Sequence, residues 1–259
     1  MNLIVLKIGG SAISNKNIPF SFKKDVVEHI AKELTEIHKE YNIILVHGGG
    51  SYGHPIAKAY DLSKGLYAPK KQLLGISRTR YYMSKLNLLI VEEFIKYNLP
   101  VITIQTSSVI TAKQGKIYNF YIEPIIKLLS LRMIPVMYGD VVIDLKKGIT
   151  IISGDDISTY LAIKLKADKL LFGLDVDGIY SKDPSLEDSE LIEILDISSF
   201  TIKGTMTKYD VTGGIFHKIE KAIEATKHGI NVYFFNITKQ GRLLDVTNEK
   251  GTFTKLITG

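Results

Sequence analysis

Two kinds of apolar pattern alternate along the chain. Short, nearly continuous apolar runs are typical of strands that are buried on both faces of a parallel sheet. Longer stretches between them carry apolar residues every three or four positions, which is the spacing of an amphipathic helix. The predicted strands are 2–8, 43–46, 101–105, 134–138, 169–174, 231–235 and 252–257. The predicted helices are 21–40 with Ser21 as its N-cap, 71–97, 123–130, 157–166, 215–228 and a short one near 239–243.

This alternation of strand and helix predicts an α/β fold with a central, mostly parallel sheet that is flanked by helices. Other segments favour antiparallel pairing. Residues 141–152 alternate around Lys147 and Gly148, which is a hairpin signal. Segment 106–121 is either a loop or a hairpin, and 191–203 resembles a hairpin.

Residues 43–60, IILVHGGGSYGHPIAKAY, predict a strand, an anion-binding loop and a helix. Glycines 48, 49 and 50 lack a Cβ, so their backbone N–H groups can approach a phosphate closely, next to the positive end of the following helix. Pro55 suits a first helical turn, so we expect His54 at or next to the N-cap, facing whatever the glycines hold. The alternative is a tight turn that needs glycine for packing alone.

Four glycine-bearing turns follow apolar strands, at residues 9, 47, 139 and 175. In open parallel sheets such turns meet at the carboxyl edge, where ligands bind. The chain contains neither GxxxxGK[ST] nor GxGxxG. Any phosphoryl transfer would therefore need lysines and a metal in another arrangement.

Composition narrows the class of protein. A chain of 259 residues that is 45% hydrophobic suits one large α/β domain or two joined lobes. The net charge of +6 comes from scattered lysines without a basic block, so we expect no nucleic-acid or membrane partner and, at most, attraction of small anionic substrates. Zero cysteines exclude thiolate chemistry, and no apolar span reaches membrane length. We expect a cytoplasmic protein.

Five motifs resemble the amino acid kinase superfamily: LKIGGS, HGGG, SGDD, DVDGIY, and TGG followed by a helix lysine. Within it, SAISNKNIPFS, HGGGSYGHPIAKAY, YGDVVID and ISGDDI resemble the isopentenyl phosphate kinase group. This resemblance implies a three-layer αβα sandwich with hairpins near the acceptor site. It also implies an acceptor lobe at 1–166, a nucleotide lobe at 167–259, and transfer of the ATP γ-phosphoryl group to isopentenyl phosphate with Mg²⁺, in a homodimer.

The resemblance also assigns roles to single residues. Lys7 would bridge the donor and acceptor phosphates, Lys16 and Lys218 would bind nucleotide phosphates, and Asp155 would orient the lysines. Asp155 or Asp156 could instead be a plain helix cap. The turn GGIFHK lacks a further lysine that relatives commonly carry, and Phe216 has no assigned role. The remaining nucleotide-side residues would be Gly9, Gly10, Ser11, Asp175, Asp177, Gly178, Tyr180, Lys182, Asp183, Gly213 and Gly214.

On the acceptor side, the resemblance places the monophosphate against His54 and the glycines, namely Gly48, Gly49, Gly50, Gly53 and Gly154. An apolar slot for the tail would be lined by Ile76 and Met83 on one helix face and by Val142 and Ile152 opposite, although core packing is the alternative for each. Asp140 and Asp144 are weaker candidates for Mg²⁺ through water or for bracing a loop. Two other functions stay open: a kinase for another small phosphate or phosphonate, and a nucleotide-binding protein without turnover.

Overall fold

The computed structural model describes residues 2–15, 17–199 and 214–259. The strands, numbered β1 to β14, are Leu3–Ile8, Asn42–His47, Val101–Thr103, Ile110–Lys113, Lys116–Phe120, Ile134–Tyr138, Asp140–Asp144, Gly148–Ile152, Lys169–Leu174, Ile179–Tyr180, Leu191–Ile192, Ile194–Asp196, Asn231–Asn236 and Thr254–Ile257. The α-helices, numbered α1 to α9, are Gly10–Ile13, Lys24–Glu40, Gly50–Ala59, Pro69–Lys96, Thr106–Val109, Glu123–Ser130, Gly154–Leu165, Gly214–Lys227 and Arg242–Thr247. Two 3₁₀ turns lie at Leu62–Lys64 and Ile197–Ser199.

The main sheet has eight strands in the order β12-β14-β13-β9-β1-β2-β6-β3. Every neighbouring pair is parallel except β13 and β14, so the predicted mostly parallel sheet is confirmed. Strands from both halves of the chain form this one sheet, because β9 of the second half pairs with β1 of the first.

One hydrophobic layer covers each face of the sheet. Along β1, Val5 belongs to one layer and Leu6 to the other, and both are fully buried. Helices α6, α7 and α8 contribute to the first layer, and α2, α4 and α9 to the second. Each buried large aliphatic side chain contributes about 1.5–3 kcal/mol, which explains why the strands read as continuous apolar runs. The result is the expected three-layer sandwich.

A second sheet, in the order β5-β4-β7-β8, confirms the hairpin predicted at 141–152 and shows that 106–121, which the sequence left open between a loop and a hairpin, contains the β4–β5 hairpin. Asp144 fixes its turns, because its carboxylate accepts four backbone N–H groups, from Gln114, Gly115, Lys146 and Lys147. Burial opposes ionisation, but these donors lower the pKa of Asp144 to about 2. Of the two roles considered for Asp144, the bonding is that of a loop brace.

Several predicted element boundaries are wrong. Helix α2 begins at Lys24, because the Ser21 hydroxyl accepts from the Asn15 N–H instead of capping a helix. The segment predicted to resemble a hairpin, 191–203, is described only as far as residue 199, and there β11 pairs with β10 while β12 joins the main sheet beside β14. The last short helix begins at Arg242, and the one-turn helix α1 carries too few residues for a periodic signal. Within the described ranges, no helix is both long and apolar enough to cross a membrane.

Candidate active site

A cavity of about 590 Å³ opens where the carboxyl ends of β1, β2, β6 and β9 meet, which is within the size range of small-molecule sites. The turns after all four strands line it, as the sequence predicts. The predicted site residues on its wall are Lys7, Gly9, Gly10, Ser11, Gly48, Gly49, Gly50, Gly53, His54, Met83, Ile152, Gly154, Asp155, Asp175, Gly178, Tyr180, Lys182, Asp183 and Lys218. Lys16 and Gly213 lie outside the described residues, and Gly214 begins α8.

The first two glycine turns touch each other across the cavity floor. A Cβ on Gly10 would lie 2.3 Å from the backbone nitrogen of Gly50, and Gly50 itself has a φ of +47°. Ser14 joins the turns, since its hydroxyl donates to the Gly10 carbonyl at 2.8 Å and accepts from the Ser51 N–H at 2.9 Å. No residue with a side chain fits at Gly10 or Gly50. Glycine at these positions therefore allows both the close packing of the two turns and the approach of a ligand to their backbone.

His47 holds the glycine loop from beneath. Thr103 donates to the Asn87 side-chain oxygen at 2.6 Å, which leaves the Asn87 amide nitrogen to donate to His47 Nε2 at 3.2 Å. The proton of His47 is then on Nδ1, which donates to the Gly48 carbonyl at 3.0 Å. Burial lowers the pKa of His47 to about 4, so the ring stays neutral and keeps this tautomer.

Asp155 stands between two lysines at the centre of the cavity wall. Its Oδ1 lies 2.8 Å from Lys7 Nζ and its Oδ2 lies 2.7 Å from Lys218 Nζ. Burial by itself would raise the pKa of Asp155, but the ammonium groups of Lys7 and Lys218 bring it below its ordinary value. Burial lowers the pKa of Lys7 to about 8, although Asp155 opposes this shift. The carboxylate thus holds two cations on one wall of the cavity.

The helix-cap role belongs to Ser153 and Asp156. The Ser153 hydroxyl accepts from the Asp156 N–H at 3.0 Å, and the Asp156 carboxylate accepts from the Ser153 N–H at 3.2 Å, which is a capping box. Helix α7 therefore begins at Gly154, three residues before the predicted start at 157. Asp155 makes no such cap bond, so its carboxylate is available to the lysines.

His54 lies on the cavity rim, but its predicted place in the helix is wrong. Helix α3 begins at Gly50, so His54 is its fifth residue and Pro55 its sixth. The helix starts early because the Gly53 N–H already donates to the Gly49 carbonyl at 3.0 Å. His54 is exposed on the cavity side of α3, one turn beyond the glycines.

An apolar slot continues from the glycine loop between α3, α4 and the β7–β8 hairpin. Ala57, Thr79, Met83, Val141 and Ile151 line it together with Ile152. Met83 packs directly on the glycines, because a Cβ on Gly53 would lie 2.6 Å from its sulfur. The thioether therefore sets the spacing between α3 and α4.

Two predicted slot residues do not line the cavity. Side chains alternate along β7, so Val142 points into the main core while Val141 faces the slot. Ile76 packs behind the slot, in a small cluster with Ala57, Val141 and Ile151. A shift of one residue along a strand decides whether a side chain faces the slot or the core. A continuous apolar run in the sequence does not reveal which of its residues faces the ligand.

Asp177 is also misplaced on the nucleotide side. Its carboxylate accepts from Lys239 Nζ at 2.8 Å and from the Asn236 amide at 3.2 Å, which ties the turn after β9 to the end of β13. It does not line the cavity, whereas Asp175 and Gly178 on either side of it do.

Asp140 is buried on the acceptor side, with one carboxylate oxygen on the Val141 N–H at 2.8 Å and the other 3.8 Å from Arg80 Nε. Burial raises the pKa of Asp140 above its ordinary value. Among the described residues, no three carboxylate or imidazole groups converge to form a metal cage.

The cavity residues that were absent from the predicted site include Thr79, Val141, Ile151 and His217. The spacing of Thr79 does carry a signal, since it lies one helical turn before Met83 on α4. His217 directly precedes Lys218, and its Nε2 lies 3.4 Å from Asp156 Oδ1. It stands in the turn where the sequence lacked a further lysine.

The arrangement suits transfer between two phosphate groups. Cations on one wall, open backbone N–H groups on the floor and an apolar slot at one side can hold two anions in line against their repulsion.

A sequence model of the amino acid kinase family matches residues 2–236. Isopentenyl phosphate kinase of Methanocaldococcus jannaschii is 38% identical over 229 residues, 84% of this chain and 85% of that protein. The enzyme of the same name from Thermoplasma acidophilum is 34% identical over 253 residues, 95% of this chain and 97% of that protein.

Solved structures agree with these sequence matches. A crystal structure of an isopentenyl phosphate kinase substrate complex superposes with a TM-score of 0.84 at 30% identity, covering 99% of this chain and all of that one. A UMP kinase from Ureaplasma parvum, at 18% identity and a TM-score of 0.64, shares the fold. The chain therefore belongs to the amino acid kinase family, within its isopentenyl phosphate kinase group.

Proposed function

We propose that the protein transfers the γ-phosphoryl group of ATP to isopentenyl phosphate, giving isopentenyl diphosphate and ADP. The observation that carries this proposal is the Lys7–Asp155–Lys218 triad facing a glycine floor beside an apolar slot. The floor and cations suit two phosphates, and the slot suits a short hydrocarbon tail. Relatives that are named isopentenyl phosphate kinase match nearly the whole chain.

On the donor side, Lys7 and Lys218 would bind the oxygens on which charge spreads during transfer, with Asp155 fixing both ammonium groups. Lys16 is proposed as a further phosphate ligand on the strength of its motif. The turn after β9 and the start of α8 would enclose the nucleotide, so residues 167–259 are proposed as the nucleotide lobe and 1–166 as the acceptor lobe. One continuous sheet carries both.

On the acceptor side, a phosphate oxygen would attack the γ-phosphorus directly. With a second pKa near 6, a monophosphate is already deprotonated at neutral pH, so no general base is needed. The N–H groups of Gly49 and Gly50 and the His54 side chain would hold its other oxygens. Removing the His54 donor is expected to reduce kcat/KM for the acceptor about ten- to a hundredfold.

We propose that Mg²⁺ enters bound to ATP. The phosphates then supply most of its oxygen ligands, which agrees with the absence of a three-ligand cluster among the residues described. When bound, the ion would neutralise phosphate charge, adding to what the lysines do.

A panel assay tests the acceptor. ADP release would be measured with ATP and isopentenyl phosphate, with longer prenyl phosphates, and with small phosphonates. We expect turnover to be fastest with isopentenyl phosphate, and replacing Met83 or Ile151 by Ala to favour longer tails by several-fold to about a hundredfold. Turnover only with a phosphonate, or ADP binding without any turnover, would support the other two functions.

We also propose a homodimer. The outer face of α4 carries Leu74, Tyr81, Leu88 and Ile95, each more than half exposed and seven residues apart, so they form one line along a 28-residue helix. A second copy of the chain presents the same line, which allows a self-complementary two-fold contact. Leu88→Glu is expected to give monomers in sedimentation velocity, whereas Leu145→Glu, exposed on the hairpin turn, should not.

A further inference from the structure

The mechanism proposed above gives no role to His217, which lies on the cavity wall that carries the lysines. It lies on the first turn of α8, next to Lys218, and its partly exposed ring lines the cavity. Its Nε2 is 3.4 Å from Asp156 Oδ1 and 3.5 Å from the Ser153 hydroxyl, and its Nδ1 is 3.9 Å from Glu220. These distances lie at or beyond the limit of a hydrogen bond, so the ring can turn toward an incoming anion without breaking a short bond.

The charges linked to this ring do not cancel. Asp156 pairs with His217 and Lys221, Glu224 pairs with Lys221, and Glu220 faces His217. With a neutral imidazole, this group of three carboxylates and one lysine carries two excess negative charges, which the one excess positive charge of the neighbouring Asp155 triad does not offset. A proton on His217 reduces that excess on the side that faces the cavity.

The position of His217 indicates that it would contact the donor nucleotide and not the acceptor. It shares its cavity wall with Ile215 and Lys218 of α8, and the facing wall is the segment from Leu174 to Pro184. The acceptor slot, by contrast, is built from α3, α4 and the β7–β8 hairpin. We propose that His217, in its protonated form, binds a phosphate group of the donor nucleotide. This inference rests on the proposed kinase function.

The surroundings favour the protonated ring. Asp156 raises the pKa of His217 above its ordinary value, burial opposes this, and Asp155 adds to the rise while Lys221 reduces it. Glu220 faces the ring from its own helix, and Lys218 is the adjacent residue. Because the binding form is the protonated one, nucleotide affinity should fall as pH rises through this pKa.

The test measures ADP binding by calorimetry between pH 5.5 and 8, which needs no acceptor. His217→Gln should weaken ADP about five- to thirtyfold at pH 5.5 and should bind it with a flatter pH dependence than wild type. His217→Lys, which stays charged, should bind ADP at pH 8 more tightly than wild type. His228→Gln is the control, because His228 is exposed just beyond the other end of α8.

Three results would overturn the inference. One is wild-type ADP affinity and pH dependence in His217→Gln. Another is an unchanged affinity for ADP together with a weakened affinity for isopentenyl phosphate, which would move His217 to the acceptor. Loss of ADP binding that His217→Lys does not restore would also contradict it, since a structural role needs no charge. Failure of wild type to turn over isopentenyl phosphate would overturn the proposed function instead, and ADP binding would still report on His217.

Discussion

The described part of the chain contains two triads in which a carboxylate stands between two lysines. In the first, Asp155 binds Lys7 and Lys218 at 2.8 and 2.7 Å. In the second, Glu249 binds Lys169 and Lys255, both at 2.9 Å, near the amino end of β9. The ion-pair geometry is nearly the same, yet we assign catalysis to one triad and not to the other.

Their surroundings differ. The Asp155 side chain is 7% exposed and faces a cavity with a backbone floor of glycines, whereas the Glu249 side chain is 43% exposed and its lysines lie over the Tyr233 ring, at 5.3 and 5.4 Å from its centroid. Tyr233 is itself fully buried. The comparison teaches that paired charges alone do not make a site, and that open volume and a glycine floor beside them are needed as well.

The largest expected effect comes from removing a lysine of each triad. Lys7→Met should lower kcat about 10²- to 10³-fold, because Lys7 would bind oxygens whose charge grows in the transition state. Lys169→Met should leave kcat within about twofold of wild type. Steady-state ADP release measures both. A similar loss of turnover in the two variants would break the comparison.

A second prediction compares the two triads in their effect on ATP binding. Lys218→Gln should weaken ATP binding or lower kcat/KM for ATP about ten- to a hundredfold, since it loses a charge-assisted phosphate contact. Lys255→Gln is the matched control and should bind ATP as wild type does. Calorimetry with a non-hydrolysable ATP analogue measures the affinity of wild type and of the two variants. Equal affinities in all three proteins would show that Lys218 does not bind the nucleotide.

The third prediction concerns pH. Burial lowers the pKa of Lys7 to about 8, so its charge is present below that pH and is lost above it. In wild type, kcat/KM for ATP should therefore fall about tenfold per pH unit above about 8. Glu249→Gln should show the same fall, because it leaves Lys7 unchanged. A flat profile to pH 10 would mean that the Lys7 charge is not required.

The smallest effect is on stability. The Lys169 and Lys255 bonds lower the pKa of Glu249 to about 2 from 4.5, so its stabilisation is present above about 4.5 and is lost as pH falls through about 2. Because Glu249 is largely exposed, Glu249→Gln should reduce the free energy of unfolding by about 1 kcal/mol or less at pH 7. Urea melts at pH 7 and pH 2.5 measure it, and the difference between the proteins should shrink at the lower pH.

Much of the fold could be predicted from the sequence, because buried parallel strands and their glycine turns leave strong local patterns. The turns after β1, β2, β6 and β9 meet at one edge as expected, and Lys7, Asp155 and Lys218 come together there. The ends of the helices were predicted less accurately. Helix α3 starts four residues before His54 because glycines, which carry no periodic apolar signal, form its first turn.

The errors in the site have local physical causes. Val142 gave way to its neighbour Val141, because one step along a strand reverses the facing side. Asp177 lies in the turn after β9, where its carboxylate is held by Lys239 and Asn236 and does not line the cavity. His217 was missed for a different reason. Its importance comes from Asp156, which is 61 residues away in sequence and adjacent only in the folded chain.

The most direct test of the account compares the two carboxylates in one experiment. Single-turnover transfer of the γ-phosphoryl group from ATP to isopentenyl phosphate would be measured for wild type, Asp155→Asn and Glu249→Gln, with thermal melts on the same samples. The account predicts that Asp155→Asn transfers at least about a hundredfold more slowly while it remains folded, and that Glu249→Gln transfers at the wild-type rate. Wild-type transfer by a folded Asp155→Asn protein would contradict it.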